Sequence, residues 1–189
     1  MSGPSSESAP AKLIVRDADP ARDAAACAEI YAPHVEDSAV SFEERAPAAA
    51  ELARRIESYA GTHAWLVADR DGAVVGFAYA APFNARPVYR WSASVSVYLA
   101  AEERGRGVGR ALYEELFERL RRRNFRMACA GITLPNEASV ALHEGLGFEP
   151  VGVHREIGWK QGAWHDLGLW QLELVPAGEG PPPEPPPPA

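Results

Sequence analysis

The chain has 189 residues, of which 47% are hydrophobic and 24% charged, and its formal net charge at pH 7 is −7. These proportions are ordinary for a globular protein, and the length suits about one domain. The acidic balance disfavours nucleic acid as the main partner, because phosphate binding needs a basic surface. No apolar run approaches the ~20 residues of a membrane helix. The first residues also lack the apolar segment of a signal peptide. We therefore expect a cytoplasmic protein that engages neither nucleic acid nor membrane.

The composition divides the chain into three parts. Residues 1–11 are rich in Ser, Pro and Gly and are expected to be disordered. Residues 176–189 form a Pro-rich tail that should be extended and solvated. Residues 12–175 remain as the folded domain. Its two cysteines, Cys27 and Cys129, match no metal or redox spacing, so we expect buried thiols and no metal site.

The first half of the domain predicts two helices followed by a hairpin. Asp19 is the expected N-cap of the first helix and Pro20 its first residue. Gly61 is expected to end the second helix. Asp71 and Gly72 stand between two β-rich segments and are a strong turn signal. The predicted order is a strand at 12–18, helices at 19–35 and 47–60, and a hairpin at 63–83.

The second half predicts a longer helix surrounded by strands. Val108, Leu112, Leu116 and Leu120 recur every four residues, as on the buried face of a helix, and Asn124 can stop it. The predicted order is a strand at 91–100, a helix at 107–123, a strand at 125–133, a short helix at 137–146, and strands at 150–159 and 165–174. The whole pattern indicates a mixed α/β sheet with helices on its faces.

The segment "SASVSVYLAAEERGRGVGR", residues 92–110, leads from a strand into that helix. Three alternating glycines let the backbone approach a ligand and adopt positive φ, and three arginines add charge. The first turn of a helix contributes unpaired N–H groups and the positive end of its dipole. Together these features predict a phosphate site, although a helix entry with solvated arginines is the alternative. The spacing matches neither the dinucleotide fingerprint nor the triphosphate P-loop.

The loop "RGRGVG" resembles the R/Q-x-x-G-x-G/A signature of the GNAT N-acetyltransferases, where it holds the pyrophosphate of acetyl-CoA. The segments "VSVYLAAEERGRGVGRALYEEL", "AGITLPNEASVALHEGLGFEPVG" and "GWKQGAWHDLGLWQLEL" are similar to the phosphinothricin and methionine-sulfoximine acetyltransferase branch. The resemblance covers roughly residues 12–175. It implies a mixed, mostly antiparallel central sheet with a splayed strand pair and helices on both faces. It also implies acetyl-CoA as acetyl donor, a small-molecule amine as substrate, and a homodimer.

The resemblance assigns cofactor-binding roles to one strand, the glycine loop and an asparagine. Backbone groups of the strand would pair with the pantetheine arm, and the loop would bind the pyrophosphate. Asn136 would lie near the pantetheine end, and capping of the short helix is its alternative role. These positions are Val97, Tyr98, Leu99, Arg104, Gly105, Arg106, Gly107, Val108, Gly109, Arg110 and Asn136.

The resemblance gives two candidate catalytic positions, His143 and Ser94. His143 stands in "ALHEGLGF", where this branch places a histidine that can shuttle a proton near neutral pH, and a purely structural histidine is the alternative. The branch pattern Trp-Thr-x-Glu-x-Ser/Thr-Val-Tyr reads "WSASVSVY" here, so Ser94 replaces the glutamate expected to accept the amine proton. A serine is a poor base. Glu43, Glu44 or His143 could compensate, and the sequence leaves the choice open.

The resemblance assigns substrate binding to Phe42, Arg86 and Tyr89. Arg86 can bind a carboxylate or phosphinate in bidentate fashion. Asn84 and Arg90 depart from the branch, which has a lysine and an acidic residue there. The sequence thus predicts acetyl transfer from acetyl-CoA to the amine of a small amino-acid-like substrate with an anionic group. The alternatives are an acyl-CoA-binding protein with weak or no transfer, and acetylation of a different amine, in an antibiotic or at a protein N-terminus.

Overall fold

The computed structural model of the protein describes residues 12–178, residue 180 and residues 183–185. The predicted disordered segment 1–11 lies outside the described residues, as do residues 179, 181–182 and 186–189 of the predicted tail. The helices and strands are β1 (Leu13–Asp17), α1 (Pro20–Glu36), α2 (Ala49–Ala60), β2 (Ala64–Arg70), β3 (Ala73–Pro82), β4 (Ser92–Leu99), α3 (Val108–Arg122), β5 (Met127–Leu134), α4 (Glu137–Glu144), β6 (Glu149–Lys160) and β7 (Ala163–Glu173).

Two local signals of the sequence are confirmed. The Asp19 carboxylate accepts hydrogen bonds from the backbone N–H groups at the start of α1, and Pro20 is the first helical residue. Asp71 and Gly72 have φ values of 52° and 89°, as the tight β2–β3 turn requires. The first helix tolerates Pro33 near its end and continues to Glu36, one residue beyond the prediction.

The seven strands form one sheet in the order β1-β2-β3-β4-β5-β7-β6. All neighbouring pairs are antiparallel except β4 and β5. The parallel pairing of β4 and β5 covers three residue pairs and stops at Ser94 and Cys129. Beyond that point the two strands diverge, although β4 continues to Leu99 and β5 to Leu134. The expected mixed, mostly antiparallel sheet with a splayed strand pair is therefore confirmed.

Helices cover both faces of the sheet, again as expected. Along β2 the side chains alternate, so Leu66 packs in the core beneath α3 while Trp65 and Val67 pack in the core beneath α1 and α2. The α3 stripe of Val108, Leu112, Leu116 and Leu120 is fully buried. Within the described residues, no helix is long and apolar enough to cross a bilayer.

Candidate functional site

The site is organised around β4, which connects two loops of different chemistry. The exposed loop before it, residues 83–91, carries Arg86 and Tyr89, and the loop after it carries the glycines. Where β4 and β5 diverge, they leave a slot that is open to solvent. Its walls come from β4, β5, α3 and α4, with Val40 at one side. The divergence of the strands thus creates a narrow cleft between the two loops.

The β4 backbone can offer hydrogen bonds to this slot. The Ala100 N–H donates to the Val75 carbonyl on β3 at 3.0 Å. Antiparallel bonds alternate along a strand, so the N–H and C=O groups of Val97 and Leu99 point the other way, towards the slot. Those of Tyr98 point to β3, and its ring packs on Tyr31 of α1. An extended amide-containing ligand would therefore find a free strand edge at Val97.

The Leu99 carbonyl has a hydrogen-bond partner within the chain. His34, in the last turn of α1, contacts it through Nε2 at 3.2 Å. Because a carbonyl only accepts, Nε2 carries the hydrogen, and burial lowers the pKa of this histidine below its usual value. A neutral His34 therefore braces the end of β4, a contact that joins residues 65 positions apart.

The glycine loop places the start of α3 at the end of the slot. Gly105 and Gly107 have φ values of 74° and 80°, which residues with a Cβ rarely adopt. Gly107 is the N-cap of α3 and contributes no side-chain cap, so the first-turn N–H groups remain available to a ligand. A Cβ on Gly109 would lie 3.3 Å from Leu142 and 3.5 Å from Leu99, so this glycine permits close packing against α4 and β4. The loop has the geometry of an anion site.

An ion pair between β2 and a buried glutamate holds the loop in place. Arg70 on β2 donates to Glu103, which is 3% exposed, at 2.7 and 3.2 Å. Among the loop arginines, Arg106 lies 3.5 Å from Glu103, and Arg110 donates to the Gly145 carbonyl at 2.9 Å. Arg104 is exposed beside them. The Arg70–Glu103 ion pair therefore ties the glycine loop to β2, and the three loop arginines are exposed to solvent.

His143 lies in the slot wall and is paired with Tyr113. The His143 side chain is buried, with Nδ1 2.7 Å from the Ser139 carbonyl and Nε2 3.0 Å from the Tyr113 hydroxyl. The carbonyl requires a hydrogen on Nδ1, so Nε2 is the acceptor and Tyr113 donates to it. Burial lowers the pKa of His143 and raises that of Tyr113, so both are neutral at pH 7. Both residues line the slot.

The Asn136 side chain is compatible with both roles that the sequence left open, capping of α4 and contact with the cofactor. Its side-chain oxygen accepts from the Ser139 N–H at 3.1 Å and caps α4. The residue also lines the slot, and its amide N–H₂ group is the part that a cap does not need. Capping and ligand contact are therefore compatible at this residue.

Ser94 is half-buried at the closed end of the slot, where β4 and β5 part. Its side chain shares a strand face with Ser96 and Tyr98, on the side of α1. Glu43 lies near this face, where Tyr31 donates to it at 3.1 Å. Arg55 binds the Glu43 carboxylate in bidentate fashion at 2.7 and 3.2 Å and lowers its pKa, which makes Glu43 a weak base.

The remaining sequence-assigned residues do not line the slot. Phe42 is 38% exposed, and its ring covers Gly158 of β6 so closely that a Cβ there would lie 2.5 Å away. Tyr89 stacks edge-on against Phe83, with ring centroids 5.6 Å apart. Arg86 is exposed, with its N–H bound to the Asn84 side chain at 3.0 Å. Glu44 is exposed as well.

The structure adds two residues that the sequence reasoning missed. Tyr113 follows Leu112 on the buried side of α3. A buried tyrosine hydroxyl needs a hydrogen-bond partner, and this need could have marked Tyr113 as a candidate site residue. Lys160 donates to the carbonyls of Val35, Ser41 and Glu43 at 2.6, 2.6 and 2.8 Å. All three ammonium donors are thus used to hold the loop that carries Phe42. No local pattern pointed to this contact.

These features fit the donor implied by the sequence. The unpaired edge at Val97 suits an amide-bearing arm, and the glycine loop with its arginines suits a pyrophosphate. Among the described residues, no group of three or more His, Cys, Asp or Glu side chains could hold a metal ion. The side chains of His143 and Tyr113 in the slot wall can take part in acid–base exchange.

Comparisons with known proteins identify the family. The model of the acetyltransferase (GNAT) domain matches residues 18–169. A phosphinothricin N-acetyltransferase of Streptomyces viridochromogenes is 37% identical over 154 residues, covering 82% of this chain and 84% of the relative. An L-methionine sulfoximine/L-methionine sulfone acetyltransferase of Salmonella typhimurium is 32% identical over 166 residues, covering 86% and 95%.

A solved structure agrees with both relatives. The phosphinothricin acetyltransferase of Sinorhizobium meliloti, solved in complex with acetyl-CoA, superposes with a TM-score of 0.85 at 38% identity. The match covers 90% of this chain and 92% of that one. The resemblance indicated by the loop sequence is confirmed, and with it the fold and the enzyme class. The chain belongs to the GNAT family of acetyltransferases.

Proposed function

We propose that this protein transfers the acetyl group of acetyl-CoA to the amine of a small amino-acid-like substrate that carries an anionic group, of the phosphinothricin or methionine sulfoximine type. The observation that carries the proposal is the slot itself. It runs along a free β4 edge at Val97, which lies close to Gly109 in the first turn of α3, and the Tyr113–His143 pair lies in its wall.

The donor would be held by residues along the length of the slot. Val97 and Leu99 would bond the pantetheine arm, with Asn136 beside it. The N–H groups at the start of α3, with Arg104, Arg106 and Arg110, would bind the pyrophosphate. When bound, the donor supplies a thioester carbonyl for the amine to attack.

The Tyr113–His143 pair would manage the proton. His143 is neutral, so the Tyr113 hydroxyl can pass its own proton to His143 Nε2 while it accepts the proton that the attacking amine loses in the slot. The lowered pKa of His143 stays below the value of about 8.5 of an ordinary thiol, so returning the proton to a leaving thiolate is downhill. The same pKa is too low to deprotonate an ordinary ammonium group efficiently. We therefore infer that the amine enters in its free form, with Ser94 and Ser96 as polar neighbours rather than bases.

The acceptor would approach from the α1 side of β4. Arg86 and Tyr89, in the loop before β4, are proposed to bind its anionic group, and Phe42 to line its apolar side. The support is the position of residues 83–91 directly before the end of β4 that pairs with β5 and carries Ser94, together with the named substrates of the relatives. The ion pair of Glu43 with Arg55 argues against Glu43 as the base.

We further infer a homodimer that works in the cytoplasm on small molecules, without nucleic acid or membrane as partner. Edge strand β6 and its hairpin expose the apolar side chains of Val151, Val153, Ile157, Trp159 and Trp164, which are 46–60% exposed. Exposed apolar patches of this kind mark interaction surfaces. The free thiols of the two cysteines suit a reducing compartment.

The test is release of free CoA from acetyl-CoA with methionine sulfoximine, methionine sulfone, phosphinothricin and ordinary amino acids as acceptors. Turnover with the first three supports the proposal. No release above background with any acceptor contradicts the substrate class. Binding of CoA in calorimetry without turnover would favour an acyl-CoA-binding protein. Ser94 supports this alternative because it replaces the glutamate expected to accept the amine proton. Turnover only with larger amines would favour a different acceptor class.

A further inference from the structure

The described part of the Pro-rich tail contacts the loop that precedes β4. Glu184 accepts two hydrogen bonds from Arg90, at 2.6 and 2.7 Å, in a bidentate pair. The indole N–H of Trp91 donates to the Pro183 carbonyl at 3.0 Å. Asn124, just after α3, donates to the Glu184 carbonyl at 3.3 Å. Side chain and backbone of the tail are therefore both engaged.

Arg90 links this contact to the fold of the loop. Its guanidinium lies 3.8 Å from the centre of the Trp91 ring, and its Nη1 donates to the Pro87 carbonyl at 2.9 Å. Pro87–Tyr89 form a 3-10 turn that Arg90 closes through its own N–H. One side chain thus ties the turn to the tail. The turn holds Tyr89, and Arg86 is its N-cap residue.

We propose that the C-terminal tail is a positioning element for acceptor binding, with Glu184 as its positioning residue. By fixing Arg90, Glu184 holds the turn that presents Arg86 and Tyr89. The exposed apolar and charged side chains of this loop would otherwise depend on a few local hydrogen bonds. The effect on acceptor binding rests on the proposed function, whereas the effect on the turn does not.

Glu184→Gln tests the inference because it removes the charge and half of the bidentate acceptor while keeping the size. Glu118→Gln is the matched control, since Glu118 forms an exposed ion pair with Arg121 at 2.8 Å within α3. The first readout is hydrogen exchange of the Tyr89 and Arg90 amides, which bond the Arg86 and Pro87 carbonyls. The second is steady-state kinetics with the best acceptor.

Glu184→Gln should speed exchange at these amides about fivefold and raise the KM for the acceptor by a similar factor, as loss of an exposed bidentate pair implies. The kcat and the Kd for CoA should not change. Glu184→Asp keeps the carboxylate, so its exchange rates and acceptor KM should lie between those of the parent and of Glu184→Gln. Unchanged exchange would overturn the inference. So would faster exchange with an unchanged acceptor KM, or an equal effect of Glu118→Gln. If the parent enzyme turns over no acceptor, the proposed function fails, and exchange alone decides whether the tail holds the turn.

Discussion

The glycine loop offers a sharp test of cofactor binding, because one substitution there has a matched control elsewhere in the chain. Gly107 and Gly72 have similar backbone conformations, with φ values of 80° and 89°. A Cβ added to either residue would meet no atom within 4 Å. Replacing each by alanine therefore adds conformational strain without a steric clash. Gly107 caps α3, whereas Gly72 lies in the β2–β3 turn.

The strain of an L-residue in this region is about 1–2 kcal/mol. We expect Gly107→Ala and Gly72→Ala each to lower the free energy of unfolding by about 1 kcal/mol. In the Gly107 variant, rotation of the adjoining peptides to relieve strain would misdirect N–H groups at the start of α3. Losing one charge-assisted hydrogen bond of about 1.5 kcal/mol would raise the Kd for CoA about tenfold. Gly72→Ala should leave that Kd unchanged.

Urea unfolding measures the first effect and isothermal titration calorimetry the second. Dephospho-CoA keeps the pyrophosphate but lacks the 3′-phosphate. Its Kd should also rise about tenfold in the Gly107 variant. Equal CoA affinities in the two alanine variants would refute the assignment of the loop. A loss seen with CoA but absent with dephospho-CoA would move the contact to the 3′-phosphate.

The other predictions concern the proton, the base, the Phe42 loop and pH. Tyr113→Phe should lower kcat at least about tenfold with unchanged CoA affinity, since it breaks the relay to His143; an unchanged kcat would show that the relay is not used. Ser94→Glu should raise the rate with methionine sulfoximine, and a rate no higher than the parent's would place the base elsewhere. Lys160→Met leaves three carbonyls without their donor and should lower the free energy of unfolding by about 1–3 kcal/mol in urea titrations, whereas no loss would show that water replaces the ammonium. Burial, and then the charge of Arg123, lower the pKa of His63 from 6.5 to about 4. Its contribution to stability is complete above pH 6.5 and falls by up to about 3 kcal/mol as the pH drops to 4. His63→Gln should flatten this slope in urea titrations while the exposed His154→Gln does not, and equal slopes would contradict the assignment.

Local chemistry made much of the fold predictable. The Asp19 cap, the Asp71–Gly72 turn and the four-residue spacing on α3 depend on neighbours within a few positions, and each is confirmed. Helix ends were less predictable. The short helix α4 ends at Glu144, two residues before the predicted end, because Gly145 and the following turn close it.

The site could be predicted only where the sequence holds a contiguous signal. The glycine loop is such a signal, and so is the resemblance that named His143. The partner of His143 is 30 residues away on another helix, so no local spacing relates the two. Glu43 was a candidate base on sequence grounds, and its ion pair with Arg55 on α2 is a contact that no local pattern predicts. The Arg90–Glu184 pair joins residues 94 positions apart, which composition alone cannot reveal.

A structure of the protein with CoA and methionine sulfone tests the proposed chemistry most directly. We expect the pantetheine arm between β4 and β5 along Val97, with the pyrophosphate at the start of α3. The amine should lie on the Ser94 side of β4, with the acidic end of the acceptor on Arg86. An acceptor bound away from Ser94 and Arg86, or a pyrophosphate away from Gly107, would contradict the proposed function.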